Sequence, residues 1–224
     1  MSTYLQLSSR LRQECGGSGT GPSAVTAQTG EYARFVSWIA TADEDIQRMY
    51  NEWRFMVGSF TLNTVADDGS YAAADCITPV TDLRIWRKDT MKIYQTSVAD
   101  ESKLYYMEYQ DWYDLYNTGT QTTSRPVHFT IGNDLSIKVG PTPNAVYRIS
   151  GEYQKSIDTL AASSDTPNYP AEYHMLAVYG AMIMYGRYSG AQEVYQDGEI
   201  RYKKMLSEMK RTQLPRIRLA GTLI

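Results

Sequence analysis

The stretch RFVSWIATADEDIQRMYNEWRFM, Arg34 to Met56, decides how the rest of the chain is read. Phe35, Ile39, Ala42, Ile46, Met49, Trp53 and Met56 recur at alternating steps of four and three, which draws one apolar stripe along a helix. Taken from Gly30 to Met56, this spacing predicts about seven turns, roughly 40 Å at 1.5 Å per residue. The seam Phe35, Ile39, Ile46, Met49 and Trp53 cannot be buried by one helix, so it requires partner helices from the same chain or a neighbour.

Outward from this seam, helical spacing returns only near the two ends. Tyr4, Leu7 and Leu11 mark one side of a short helix over residues 3–14. Far downstream, Tyr173, Leu176, Ala177, Gly180, Met184 and Arg187 follow Pro170 at steps of three and four. Gly180 and Ala181 would let another backbone approach closely there, at a propensity cost of about 1 kcal/mol for the glycine. Gly190 ends or kinks that helix. A last amphipathic helix runs from Ala191 to about Thr212, with Val194, Tyr202, Met205, Leu206 and Met209 inward, and Pro215 stops it.

Between these helices the period drops to two. Residues 59–73 read as strand, turn at Asp67-Asp68-Gly69, and strand. Two short strands follow in LRIWRKDTMKIY, a short helix in QDWYDLYNTG, and a hairpin in which Val127, Phe129 and Ile131 face Leu135, Ile137 and Val139 across Gly132-Asn133-Asp134. VYRISGEYQKSI supplies a last strand. The fold expected is therefore α+β: a helical core over 1–57 and 167–213, with a flexible Gly-rich linker at 15–30, an inserted and mostly antiparallel β domain over 58–166, and an extended C-terminal arm over 214–224.

Composition is that of an ordinary globular chain: 224 residues, 42% hydrophobic and 21% charged. No apolar run is long enough to span a bilayer, and no basic-then-apolar N-terminal pattern is present, so folding in a cytoplasm is expected. Cys15 and Cys76 do not make a disulfide framework or a metal-ligand spacing. A net charge of −3 argues against general nucleic-acid binding, but the charge is unevenly placed. Residues 58–166 carry 9 Lys and Arg against 14 Asp and Glu, whereas residues 199–218 carry 7 against 2. Ends of opposite sign suit different partners, or the next copy of the same chain. The 19 tyrosines fit either a β-rich surface or an interface.

The chemical signals do not assemble into a reactive site. CGGSGTGPSAVTAQTGE, Cys15 to Glu31, spaces Gly16, Gly21 and Ser23 like a phosphate loop, but Pro22 stands where the phosphate-reaching lysine belongs, and a helix rather than a strand precedes it. It reads as a connector. Asp43, Glu44 and Asp45 point about 100° apart on a helix and read as a solvated face. His128 and His174 have no nucleophile or ligand set beside them and read as structural. Trp86, Tyr105, Tyr106, Tyr109, Trp112 and Tyr113 fit core packing, a protein interface or a sugar platform. No catalytic, cofactor-binding or metal-binding residue, and no cofactor, is expected.

Five segments together resemble one family. They are SSRLRQECGGSGTGPSAVTAQTGE (8–31), RFVSWIATADEDIQRMYNEWRFM (34–56), LSIKVGPTPNAVYRISGEYQKS (135–156), DTPNYPAEYHMLAVYGAMIMYGRY (165–188) and QLPRIR (213–218). In this order they resemble the head-to-tail adaptor, or connector, proteins of short-tailed bacteriophages, over nearly the whole chain. The resemblance implies a structural virion protein at the head–tail junction, assembled in the bacterial cytoplasm as a dodecameric ring beneath the portal protein. Such a ring extends the DNA channel, through which packaged DNA passes without sequence-specific binding, and offers a platform for nozzle and tail fibres.

On that reading the arm Leu214, Pro215, Arg216, Ile217, Arg218 and Leu219 reaches the portal. Arg201, Lys203, Lys204, Lys210 and Arg211 form a basic docking surface for acidic protein, whose hold weakens as salt rises. The Gly-rich linker would let helix 3–14 swing towards a partner. The alternative from another class is a receptor- or carbohydrate-binding module of the tail, which a glycan array separates from an adaptor. A peptidoglycan-active virion enzyme is a third, which a zymogram tests.

Overall fold

The computed structural model describes residues 2–96 and 99–215. Five α-helices occur in it: α1 (Tyr4–Glu14), α2 (Gly30–Arg48), α3 (Tyr109–Tyr116), α4 (Met175–Ser189) and α5 (Gln192–Gln213). Nine strands lie between α2 and α4: β1 (Val57–Asn63), β2 (Ser70–Tyr71), β3 (Leu83–Trp86), β4 (Lys92–Tyr94), β5 (Ser102–Lys103), β6 (Tyr105–Tyr106), β7 (His128–Ile131), β8 (Ile137–Gly140) and β9 (Arg148–Lys155). The chain divides into two compact units, one of residues 1–56 with 157–224 and one of residues 57–156. The fold is α+β.

In the helical unit α1 begins with a reciprocal cap. Thr3 Oγ1 accepts from the Gln6 amide at 3.3 Å, and Gln6 Oε1 accepts from the Thr3 amide at 3.0 Å. Tyr4, Leu7 and Leu11 are buried against α2 and α4, and the Tyr4 hydroxyl donates to the Val36 carbonyl at 2.8 Å. In the structure α1 is packed into the helical unit. The Gly-rich segment that follows makes contacts of its own. Arg12 Nε donates to the Ser18 carbonyl at 2.8 Å, buried Val25 donates its amide to Ser163 Oγ at 3.3 Å, and Gly21 lies so close to Ser9 that an added Cβ would sit 2.9 Å from its Cα.

Phe35, Ile39, Ala42 and Ile46 of α2 are buried as the spacing predicts. The helix, however, ends at Arg48, and Met49 is 38% exposed, so Met49 drops out of the seam. Trp53 and Met56 are buried all the same. The chain turns back, and the Trp53 indole donates to the Ile46 carbonyl at 2.9 Å, sharing that oxygen with the Met49 amide, which donates to it at 3.3 Å. Residues 54–56 then form a single 3-10 turn.

α4 and α5 form a helical hairpin broken by Gly190, which adopts the left-handed conformation at φ 71° that glycine tolerates best. Glycine also sets the helix spacing. A Cβ at Gly186 would meet Tyr195 Cβ at 2.7 Å and its Cα at 2.8 Å, and one at Gly180 would meet Ala42 Cβ at 3.0 Å. Residues 157–166 belong with the helices, where Leu160 is buried among Leu7, Val25, Phe35 and Ala177; the return from the β region therefore comes earlier than the 58–166 interval expected from sequence.

The second unit holds two sheets. β9 is the hub of the first, pairing antiparallel with β1 along one edge and with β3 and β4 along the other, with β5 outside β4. The second runs β2-β8-β7-β6, with β6 and β7 parallel. Phe60, Trp86, Met91, Ile93, Phe129 and Ile149 share one core. The β7–β8 pairing is the hairpin read from sequence. The strands on either side of Asp67-Asp68-Gly69 are not a hairpin: β1 and β2 lie in different sheets. α3 packs on β7, its Tyr116 hydroxyl 2.7 Å from His128 Nδ1.

Candidate interaction surface

α5 presents its apolar residues to the helical unit and its cations away from it. Leu206 and Met209 are buried, Tyr202 and Met205 partly so, and Arg201, Lys203, Lys204 and Arg211 are exposed. At 100° per residue the five predicted cations fan across the half of the helix opposite Leu206 and Met209. They do not share one face or one environment: Lys204 and Arg211 point away from Leu206 and Met209, whereas Arg201 and Lys210, nine residues apart, lie on opposite sides of the helix.

Arg201 is held twice by carboxylates, with Nε 2.9 Å from Asp197 and Nη1 3.4 Å from Glu14 at the end of α1. The hydrogen bond with Asp197 first, then one with Tyr179, and last the charges of Asp197 and Glu14 raise its already high pKa. Lys203 Nζ pairs with Glu199 at 2.7 Å, which raises its pKa in turn. Lys210 lies over the Tyr50 ring at 4.9 Å, a cation–π contact. Arg211 Nε donates to the Ser207 carbonyl at 3.4 Å. Lys204 borders a shallow hollow of about 230 Å3 between α4 and α5, lined also by Tyr179, Arg201, Met205 and Glu208. Among the described residues neither Lys204 nor Arg211 makes an ion pair.

Of the predicted arm, Leu214 is half-buried beside the cluster that holds Trp53 and Met209, and its amide donates to the Lys210 carbonyl at 3.1 Å. Pro215 is exposed. Arg216, Ile217, Arg218 and Leu219 lie outside the described residues. Leu214 is thus part of the helical body, and anything that behaves as an arm starts after it.

One polar centre escaped the sequence reading. Asp43 was expected on a solvated face, but it is 1% exposed. Its neighbours Glu44 and Asp45 do reach solvent and pair with Arg48. Gln47 Nε2 donates to Asp43 Oδ2 at 2.7 Å and to the Asp158 carbonyl at 2.9 Å, while its Oε1 accepts from the Asp158 amide at 3.0 Å. Gln47 thereby stitches α2 to the segment 157–166. Burial pushes the Asp43 carboxyl up to about 6, against the pull of Gln47 and with the help of nearby Asp158 and Glu44. The Tyr169 hydroxyl faces Asp43, yet neither it nor Asp43 Oδ1 closes a hydrogen bond. The signal was available: Asp43 stands four residues after Ile39 and three before Ile46, on the apolar stripe itself.

His174 is buried with Nε2 3.1 Å from the Tyr169 carbonyl and Nδ1 3.2 Å from the Ser2 amide. Burial lowers its pKa, so it is a neutral tether between the chain start and α4. Among the described residues no three His, Cys, Asp or Glu side chains converge as a metal site would require, and no helix is long and apolar enough to cross a membrane. The family model of the SU10 adaptor protein matches residues 2–221. The chain belongs to the SU10 adaptor protein family. No curated protein shows a significant match to it. For this adaptor, membership carries the phage head–tail adaptor role and places it in a structural family.

Proposed function

We propose that this chain assembles as a ring, a dodecamer by resemblance to its family, beneath the portal at the head–tail junction of the virion, where it extends the DNA channel and carries nozzle and tail fibres. The observation that carries this reading is the family match over residues 2–221, which spans both units and both chain ends. The helical unit supports it: α5 is locked into the body by its apolar face, which leaves the cationic face to meet acidic protein. Many copies of so modest a contact add up to tight attachment, so no single subunit needs a deep pocket. The segment after Leu214, with Arg216 and Arg218 alternating with Ile217 and Leu219, suits ordering on a partner's surface.

The test is the mass of the purified chain, measured by light scattering with and without the portal of the same phage. A ring of chain on portal is expected. A chain that stays separate from the portal at all concentrations overturns the reading. Truncation after Pro215 is expected to weaken portal attachment and leave the thermal melt unchanged, since it spares the packed Leu214. A truncated chain that docks as tightly as the full one removes the arm from the mechanism.

A further inference from the structure

The five cations of α5 differ in what surrounds them, and that difference sorts them. Arg201 and Lys203 each have a carboxylate within 3 Å, Asp197 and Glu199. An approaching acidic side chain meets these neutral pairs with little net attraction, and Asp197 and Glu199 repel it. Lys210 is drawn onto the Tyr50 ring and is half-buried. Among the described residues Lys204 and Arg211 make no ion pair, although Glu208 stands between them on the same face, four residues after Lys204 and three before Arg211. They are seven residues apart on one helix, so they point the same way, about 10 Å apart along the axis.

Lys204 also lines the hollow of about 230 Å3, together with Met205, Arg201 and Tyr179, whose ring has the Arg201 guanidinium 5.8 Å from its centre. Such a hollow matches a side chain with a short aliphatic stem and an anionic tip. Glu208, which also lines it, opposes an entering anion, so the cations Lys204 and Arg201 on the same wall must outweigh it.

We propose that the hollow takes a glutamate side chain of the portal, its methylenes against Tyr179 and Met205 and its carboxylate on Lys204, while a second portal carboxylate about two helical turns away meets Arg211. The complementary surface is an acidic helix with carboxylates at i and i+7. Lys204 and Arg211 carry the salt-dependent part of docking, and Arg201 and Lys203 hold α5 to its own acidic neighbours. This rests on the adaptor reading above.

The test is the affinity of the full chain for the portal of the same phage, measured by biolayer interferometry from 50 to 300 mM NaCl. Lys204→Gln and Arg211→Gln are each expected to weaken binding by about five- to tenfold, Lys204→Glu by more, and each to flatten the salt dependence. Lys203→Gln is expected to stay within about twofold of the unaltered chain. All three positions are exposed, and circular dichroism melts verify that the four variants fold. Equal losses for Lys203→Gln and Lys204→Gln, or Lys204→Glu binding like the parent, overturn this inference and leave the adaptor reading standing. An unaltered chain that does not bind portal overturns both.

Discussion

Asp43→Asn is expected to stabilise the protein at pH 8 and to remove most of a pH dependence that the unaltered chain shows between pH 4 and 7. The carboxyl is raised from 3.8 to about 6 by burial in the helical unit. Between those values the folded chain holds a proton that the unfolded chain has released, so this group's contribution to stability is greatest at low pH and falls as pH rises through 6. A gap of about two pH units at ~1.4 kcal/mol each makes the ionised carboxylate cost about 3 kcal/mol at pH 8. Asparagine stays neutral, still accepts from Gln47, and brings an N–H to the unpartnered Tyr169 hydroxyl. The gain expected at pH 8 is thus about 1–3 kcal/mol. His174 works in the opposite direction. Its pKa is lowered, so its contribution is present at high pH and is lost as pH falls through its folded value. The readout is therefore the difference between parent and variant in urea unfolding, followed by tryptophan fluorescence at pH 4.5 to 8. Parallel pH profiles for the two proteins, or a variant less stable at pH 8, would refute the account of Asp43.

Two further substitutions probe the helical unit. Gly186→Ala places a Cβ 2.7 to 2.8 Å from the Cβ, Cα and N atoms of Tyr195, and because part of that obstacle is backbone, α4 and α5 must separate. Overpacking of about 1–3 kcal/mol outweighs the propensity gain of about 1 kcal/mol from replacing a helical glycine, so urea unfolding should shift to lower concentration; an unchanged or raised midpoint would show that the helices are not in that contact. Ile46→Asp puts an unpaired carboxylate at a fully buried position, and loss of the cooperative melt is expected; a variant that melts like the parent would mean that this seam is not the core.

The seam from Phe35 to Ile46 was legible because burial and helical period agree there. Beyond Arg48 the period persists through Trp53 and Met56, yet the helix does not. The Trp53 side chain caps the Ile46 carbonyl and returns the same residues to the core by a different backbone path, and spacing alone does not distinguish the two. The separation of β1 and β2 into different sheets was hidden for a related reason: a turn signal at Asp67-Asp68-Gly69 is local, whereas the partners lie far along the chain, Val57 opposite Gln154 and Ser70 opposite Lys138. The basic residues of α5 were visible as a composition bias. Their division into paired and free cations was not, because Glu14 approaches Arg201 from α1 and the hollow beside Lys204 exists only once α4 and α5 pack.

The central position of β9 sets a timetable for synthesis. Val57 of β1 finds its partner only at Gln154, so at about 5–20 residues per second the ribosome leaves β1 without its neighbour for about 5–20 s. β3 and β4 wait on the same strand, and α1 and α2 wait longer still for α4. This chain order predicts that rare-codon pauses placed before residue 148 lower the yield of soluble subunit more than pauses placed after it, and that added chaperone recovers part of the loss.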